Sequence, residues 1–192
     1  YIVIDTSPIG LVPDAYAIIE HSDMCLFVIR CMQTNKSFCK QTLEQMREVV
    51  RLLAAEPGTL IFLFGGRGQQ ATALSGWESL SPDIQSVAGR FSLREELSLM
   101  AHLDLMLSMD SANMHLASLV GTRVISVWGS TTPACGFLGW GQQEADALCL
   151  HLSCQPCTIG GSNNCRKGTY DCLRNLTPSD IVHKISTLNL YP

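Results

Sequence analysis

The chain has 192 residues, 46% apolar and 16% charged, with a formal charge of −4; that is enough for one substantial core or at most two, in a composition neither disordered nor strongly basic. A mildly acidic chain does not supply the Lys and Arg that broad nucleic-acid binding needs to neutralise phosphates, so no nucleic-acid partner is expected. No apolar run reaches the ~18 residues of a membrane span, and no charged-then-apolar leader precedes the fold, which points to a cytoplasmic chain.

The sequence opens at Tyr1, already inside an apolar run, as a piece starting mid-fold would. Short β runs then alternate with helical stretches. Strands are predicted at 1–5, 25–30, 60–64, 105–109 and 124–128, with a weaker one at 84–87. These runs are continuously apolar, the pattern of strands covered on both faces. Across 36–55, Cys39, Leu43, Met46, Val50 and Leu53 recur at spacings of three and four and give one apolar helical face. Ser92-Leu93-Arg94-Glu95 is a capping box that opens a helix to about His102. Ser111 begins a helix that stops at Gly121, and Thr177-Pro178 opens the last one. Alternation of this kind predicts an α/β fold with a doubly wound parallel sheet, in which strand 1–5 shares a sheet with 105–109.

In such sheets ligands bind beyond the carboxyl ends of the strands. Three of those ends are chemically unusual. Strand 60–64 runs into Gly65-Gly66-Arg67-Gly68, where backbone can approach a ligand closely. Strand 105–109 runs into Asp110-Ser111-Ala112-Asn113-Met114-His115, and strand 124–128 into Gly129-Ser130-Thr131-Thr132-Pro133. A helix starting at Ser111 offers unpaired N–H groups and the positive dipole end to a diphosphate. His115, one turn in, can donate to a phosphate, more strongly when protonated. The plain alternative is that Asp110 or Ser111 only caps the helix.

The run Ser108-Met109-Asp110-Ser111-Ala112-Asn113-Met114-His115-Leu116-Ala117, followed by Gly121-Thr122, Val124-Ile125-Ser126-Val127-Trp128-Gly129 and Thr132-Pro133, resembles family 9 glycosyltransferases, which include the ADP-heptose lipopolysaccharide heptosyltransferases. The resemblance runs from about Leu43 to the C-terminus. It implies the C-terminal, donor-binding half of a two-domain GT-B fold. It also implies a nucleotide-sugar donor whose diphosphate and sugar meet the Asp110-Ser111 turn and His115 and whose adenine packs against Phe91; Gly65, Gly66, Asn113 and Thr131, at the same strand ends, complete the expected donor site. Ala112 departs from the family's usual Gly, and its methyl group would crowd a phosphate. Glu95 is a further polar candidate, with its capping-box role the simpler reading. The family takes its acceptor, lipid-linked or glycan, and its general base from an N-terminal domain. No catalytic residue is therefore assigned here, and the chain is expected to be incomplete as an enzyme. Transfer in the family needs no cofactor. The setting is cytoplasmic, with peripheral attachment at the inner membrane open.

Residues 1–42 read differently. Tyr1-Ile2-Val3-Ile4-Asp5-Thr6-Ser7-Pro8-Ile9-Gly10-Leu11-Val12-Pro13-Asp14-Ala15 resembles the Walker B segment of bacterial capsule-export tyrosine kinases, and the run 25–40 continues that likeness. The resemblance implies that Asp5 would face the Mg²⁺ of bound ATP. No G-x-x-x-x-G-K-[ST] loop exists in the chain to cradle the phosphates, so Asp5 is read as a structural strand-end carboxylate. The expected organisation is a kinase-like β-α-β piece joined near 42–45 to a donor-binding domain over 43–192. A non-catalytic composite or scaffold and a kinase remnant stand as alternatives.

Nine cysteines are present. Cys25, Cys31, Cys39, Cys135 and Cys149 are scattered, mostly in apolar runs, as buried thiols are. The other four form Cys154-x₂-Cys157-x₇-Cys165-x₆-Cys172 in Gly-, Asn- and Ser-rich sequence. That spacing suits a structural Zn²⁺ held by thiolates; reduced thiols or two disulfides are the alternatives. Related transferases carry a similar cysteine-rich stretch.

Overall fold

The computed structural model describes residues 36–162 and 164–188. The strands predicted at 1–5 and 25–30, Asp5 and the pairing expected between 1–5 and 105–109 lie outside the described residues.

The chain alternates helix and strand as the sequence predicts. Helix α1 (Lys36–Leu53) leads into β1 (Ile61–Leu63), α2 (Gln69–Ser75), a 3₁₀ turn (Gly76–Leu80) and β2 (Ile84–Ser86). There follow α3 (Leu93–Met100), β3 (Met106–Met109), α4 (Ala112–Leu119), β4 (Val124–Val127) and, after a 3₁₀ turn at Glu144–Asp146, the short β5 (Ala147–Leu148). Helices α5 (Asp171–Arg174) and α6 (Pro178–Ser186) close the fold.

Among the described residues every ladder is parallel. Ile61 pairs with Ile84 across β1–β2, Met106 with Val124 across β3–β4, and Ser126 with Ala147 across β4–β5. Among the described residues these ladders form two sheets, β1-β2 and β3-β4-β5, rather than the one expected. They are joined by packing instead of pairing. In α1, Val49 enters the core beneath β4 and the adjacent Val50 enters the core of β1–β2.

Strand β4 shows why its sequence is continuously apolar. Ile125 and Val127 point to one face, where Val49 of α1 and Ile181 and Ile185 of α6 cover them. Val124 and Trp128 point to the other, against Met100 of α3 and Met114 and Ala117 of α4. All four β4 residues are buried, so a strand layer lies between two helical layers. Ser126 is the polar exception, and it accepts a hydrogen bond from the Trp128 indole N–H at 2.8 Å.

Local signals place the helix starts. In α3 the Ser92 hydroxyl accepts from Glu95 N–H and the Glu95 carboxylate accepts from Ser92 N–H at 2.8 Å, the reciprocal capping box read from the sequence. Thr177 and Asp180 repeat that arrangement at α6, with Pro178 in the first turn. Helix α2 was not predicted: Gln69–Ser75 buries none of its residues and so has no apolar period to read.

Candidate functional site

The site is built on the carboxyl end of β3. Its last residue, Met109, runs into Asp110, and Ser111 stands in extended conformation (φ −156°, ψ 172°) immediately before α4. Neither side chain caps the helix. The Asp110 carboxylate is taken by Thr131, whose hydroxyl donates to Oδ2 at 2.5 Å. The Ser111 hydroxyl pairs with that of Ser108 at 3.1 Å. No side chain caps the first turn of α4; Met114 N–H is taken by Ser111 O at 3.1 Å, which leaves the Ala112 and Asn113 amides at the positive end of the helix dipole. The plain capping alternative is therefore not what these side chains do. The structure brings Asp110, Ser111, His115 and Thr131 to one end of the β3–β4 layer, with Asn113 half-buried in the first turn.

Burial governs the charges here. It pushes the Asp110 carboxyl above its ordinary range, against the opposing pull of the Thr131 hydroxyl and of His115. Burial pushes the His115 imidazole below its ordinary range, against the raising effect of Asp110. Burial thus favours the neutral ring. A neutral ring can still donate one N–H to a phosphate oxygen.

The expected glycine loop has a local reason for its composition. A Cβ on Gly65 would lie 2.8 Å from Leu74 Cδ1 of α2, and one on Gly66 would lie 2.8 Å from Gln70 Oε1. Gly66 N–H already donates to that Gln70 oxygen at 2.8 Å. These glycines let α2 dock against the end of β1, and a ligand taking the Gly66 amide has to displace Gln70.

Phe91, 39% exposed, borders a cleft of about 240 Å³ that Gln85, Arg90, Glu95 and Leu99 also line. An aromatic face, an amide and a guanidinium around a cleft of that size suit a planar, hydrogen-bonding ring. The Glu95 carboxylate is committed to the α3 cap, accepting also from the Ser92 hydroxyl at 2.7 Å. Glu95 and Leu99 line the cleft from α3, and α3 packs on α4.

Sequence reasoning missed what fastens this layer from behind. Asp146, 2% exposed, receives Arg123 Nε at 2.7 Å and Nη2 at 3.0 Å, and Lys184 Nζ at 3.2 Å. The Arg123 guanidinium, above all by hydrogen bonding, holds the Asp146 carboxyl below its ordinary range. The three residues lie far apart in sequence, and no spacing signals them.

The cysteine-rich loop wraps the same edge from outside. Gln155 Nε2 donates to Gly129 O at 2.6 Å, Cys157 N–H to Ser130 O at 2.8 Å, and Ser162 N–H to Ser130 Oγ at 3.1 Å. Cys135, Cys149, Cys154, Cys157, Cys165 and Cys172 are all unpaired, so the disulfide alternative is not formed.

The sequence pattern of glycosyltransferase family 9 (heptosyltransferase) matches residues 24–166. The chain belongs to that family. The match begins ahead of the joint expected near 42–45, so the run 25–40 read as kinase-like falls within the transferase span. The chain is 22% identical to Lipooligosaccharide heptosyltransferase 2 of Campylobacter jejuni serotype O:6 over 138 residues, 67% of this chain and 41% of that protein. The serotype O:2 protein of the same name is 21% identical over 137 residues, 67% of this chain and 40% of its own length. A crystal structure of a family 9 glycosyl transferase from Veillonella parvula superposes with a TM-score of 0.52 at 19% identity, covering 77% of this chain and 41% of that one. The fold is thus shared with this family 9 transferase, and the chain spans about two fifths of the length of the curated relatives it matches. No helix among the described residues is long and apolar enough to cross a membrane.

Proposed function

We propose that this chain binds the nucleotide-sugar donor of a family 9 glycosyltransferase, with the diphosphate over the first turn of α4 and the base in the Phe91 cleft. The observation that carries the reading is the uncapped start of α4, with Asp110 and Ser111 each bonded elsewhere. A helix end left open in this way meets a diphosphate with amide N–H groups and dipole together, without a metal ion. As the glycosidic bond to the donor breaks, negative charge gathers on the departing diphosphate, and donors already aimed at it stabilise that charge most. His115 adds an imidazole N–H on the same side. Thr131 and Asn113 complete the polar wall, with Asp110 holding the 129–131 loop against α4 through Thr131. Gly65 and Gly66 border the sugar side.

The relatives named as heptosyltransferases support heptose as the transferred sugar, and the aromatic face of Phe91 suits adenine; ADP-heptose is the donor we assign. The acceptor, a lipid-linked or growing surface glycan, and the base that deprotonates its hydroxyl come from residues outside the two fifths matched here. The setting that fits such a donor is the cytoplasm, at the inner face of the membrane.

Isothermal titration of the chain with an ADP-sugar tests the site. His115→Ala is expected to weaken binding by about 1–3 kcal/mol, the range for a hydrogen bond to a charged group. Ala112→Gly is expected to leave binding unchanged or improve it, because the exposed methyl at the helix start no longer meets the phosphate. Undiminished affinity in His115→Ala, with circular dichroism unchanged, would remove the site.

A further inference from the structure

Among the described residues the segment from Cys149 to Tyr170 has no helix or strand, yet three thiols on it and a fourth on α5 line one space. Cys154, Cys157, Cys165 and Cys172 all line one small cavity of about 20 Å³, closed on its inner side by Ser130. A space of that size admits about one water-sized sphere. It is far below the volume of an organic ligand site, and it suits a single ion. No Lys, Arg or His lines it.

The second observation is the turn that follows Cys165. Tyr170 N–H donates to Cys165 Sγ at 3.4 Å, and Gly168 N–H closes the turn on Cys165 O at 3.0 Å. Gly168 stands at φ 71°, in the left-handed region that lets the chain curl back over its own sulfur. A backbone N–H donated to sulfur is an outer contact that a metal-bound thiolate keeps, and it fixes the direction in which Cys165 presents its sulfur.

We propose that Cys154, Cys157, Cys165 and Cys172 form a tetrathiolate site for one Zn²⁺ that braces the 129–131 loop from outside. Asp171 also lines the cavity, but four soft sulfur ligands outcompete one hard carboxylate for a tetrahedral, thiophilic ion, and four protein ligands leave no open position for catalysis. As the side chains stand, no group of three or more His, Cys, Asp or Glu among the described residues is arranged to hold a metal. Closure therefore takes rotation of the thiols about Cα–Cβ between staggered wells. Four thiols and one Zn²⁺ give a dianionic tetrathiolate and release four protons to the solvent, so affinity rises with pH. The ion fixes the backbone that Cys157 and Ser162 already bond to Ser130. That backbone adjoins Thr131, so the brace acts on the loop that holds Asp110. The site itself stands independently of what binds at α4.

The test is metal content and Co²⁺ titration of the full chain, purified reduced and without oxygen. One Zn²⁺ per chain is expected. Co²⁺ should develop the intense visible bands and sulfur-to-cobalt charge-transfer absorption of a tetrahedral tetrathiolate, saturating at one equivalent and bleached by Zn²⁺. Cys165→Ser and Cys172→Ser should each weaken or abolish that spectrum. Cys149→Ser, a thiol outside the cavity lining, should leave it intact. Reduced wild-type chain that shows no saturable cobalt spectrum overturns the proposal, as does a spectrum indifferent to Cys165→Ser and Cys172→Ser. Iron in place of zinc in the purified chain overturns the assignment of the ion. The wild-type titration decides even where a variant fails to fold.

Discussion

His115 carries the sharpest consequence at the scale of single residues. Burial holds its folded pKa below the ordinary imidazole range. A group depressed in this way binds fewer protons folded than unfolded, so its contribution to stability is full above about pH 6.5 and is lost as pH falls through the folded value. A diphosphate beside the ring acts in the opposite direction, because it favours the imidazolium. Donor binding therefore takes up a proton as pH drops, and affinity for an ADP-sugar is expected to rise from pH 8 towards pH 6. The diphosphate diester of such a donor does not titrate in that range, so the slope reports the protein. His115→Gln keeps an N–H donor and should flatten the slope. Titrations in two buffers of different ionisation enthalpy measure the proton uptake directly; a pH-independent affinity in the wild-type chain contradicts the placement of His115. The sequence showed that Asp110, Ser111 and His115 share one loop and turn. It could not show that Asp110 turns away to Thr131, because that bond joins residues from two different strand ends.

Elements held by contiguous signals were legible, and elements held by distant partners were not. The capping boxes at 92–95 and 177–180 lie within four residues each and are formed as read. Strand β4 was legible because both of its faces are apolar. Strand β5 has two residues, too few for a period, and is recognised only by its pairing with Ser126 and Val127 of β4. The Arg123–Asp146–Lys184 cluster is the clearest hidden device, tying the entry of β4 and the turn before β5 to α6. Its energetics are asymmetric. Arg123 is 44% exposed and Lys184 24%, so both can return to water when the carboxylate is removed. Asp146→Ala is therefore expected to cost about 1–3 kcal/mol, short of the larger penalty for stranding a buried charge. Arg123→Ala should cost less, since Lys184 still neutralises Asp146. The depressed Asp146 carboxyl stabilises the fold above its unfolded pKa and loses that contribution as pH falls through the lower folded value. Urea unfolding of the two variants at pH 7, and of the wild type on acidification, checks the order. Arg123→Ala proving as damaging as Asp146→Ala would contradict the role given to Lys184.

At the scale of the whole molecule, binding and turnover are expected to separate. The donor pocket assigned here draws only on residues 65–131, which fold around β1–β2 and β3–β4–β5 within this chain. Transfer asks for more: an acceptor hydroxyl held in line with the sugar and a base to take its proton, each of which supplies a large part of a rate. Those groups are assigned to parts of the relatives that this chain does not match. A ligand that binds only the folded state stabilises it by about 2.7 kcal/mol at a hundred times its Kd. For a chain of this size each kcal/mol raises Tm by roughly 2–4 °C. A saturating ADP-sugar should therefore raise Tm by about 5–10 °C, while UDP- and GDP-sugars, whose bases fit the Phe91 cleft less well, should raise it less. The same preparation should transfer sugar to a lipooligosaccharide acceptor weakly or not at all. Equal shifts from all three nucleotides would leave the diphosphate site at α4 in place and remove the adenine assignment. No shift from any of them would remove the donor site itself. Rapid transfer by this chain would place the base and the acceptor site within it, and would overturn the division of labour between this chain and the rest of the relatives' length.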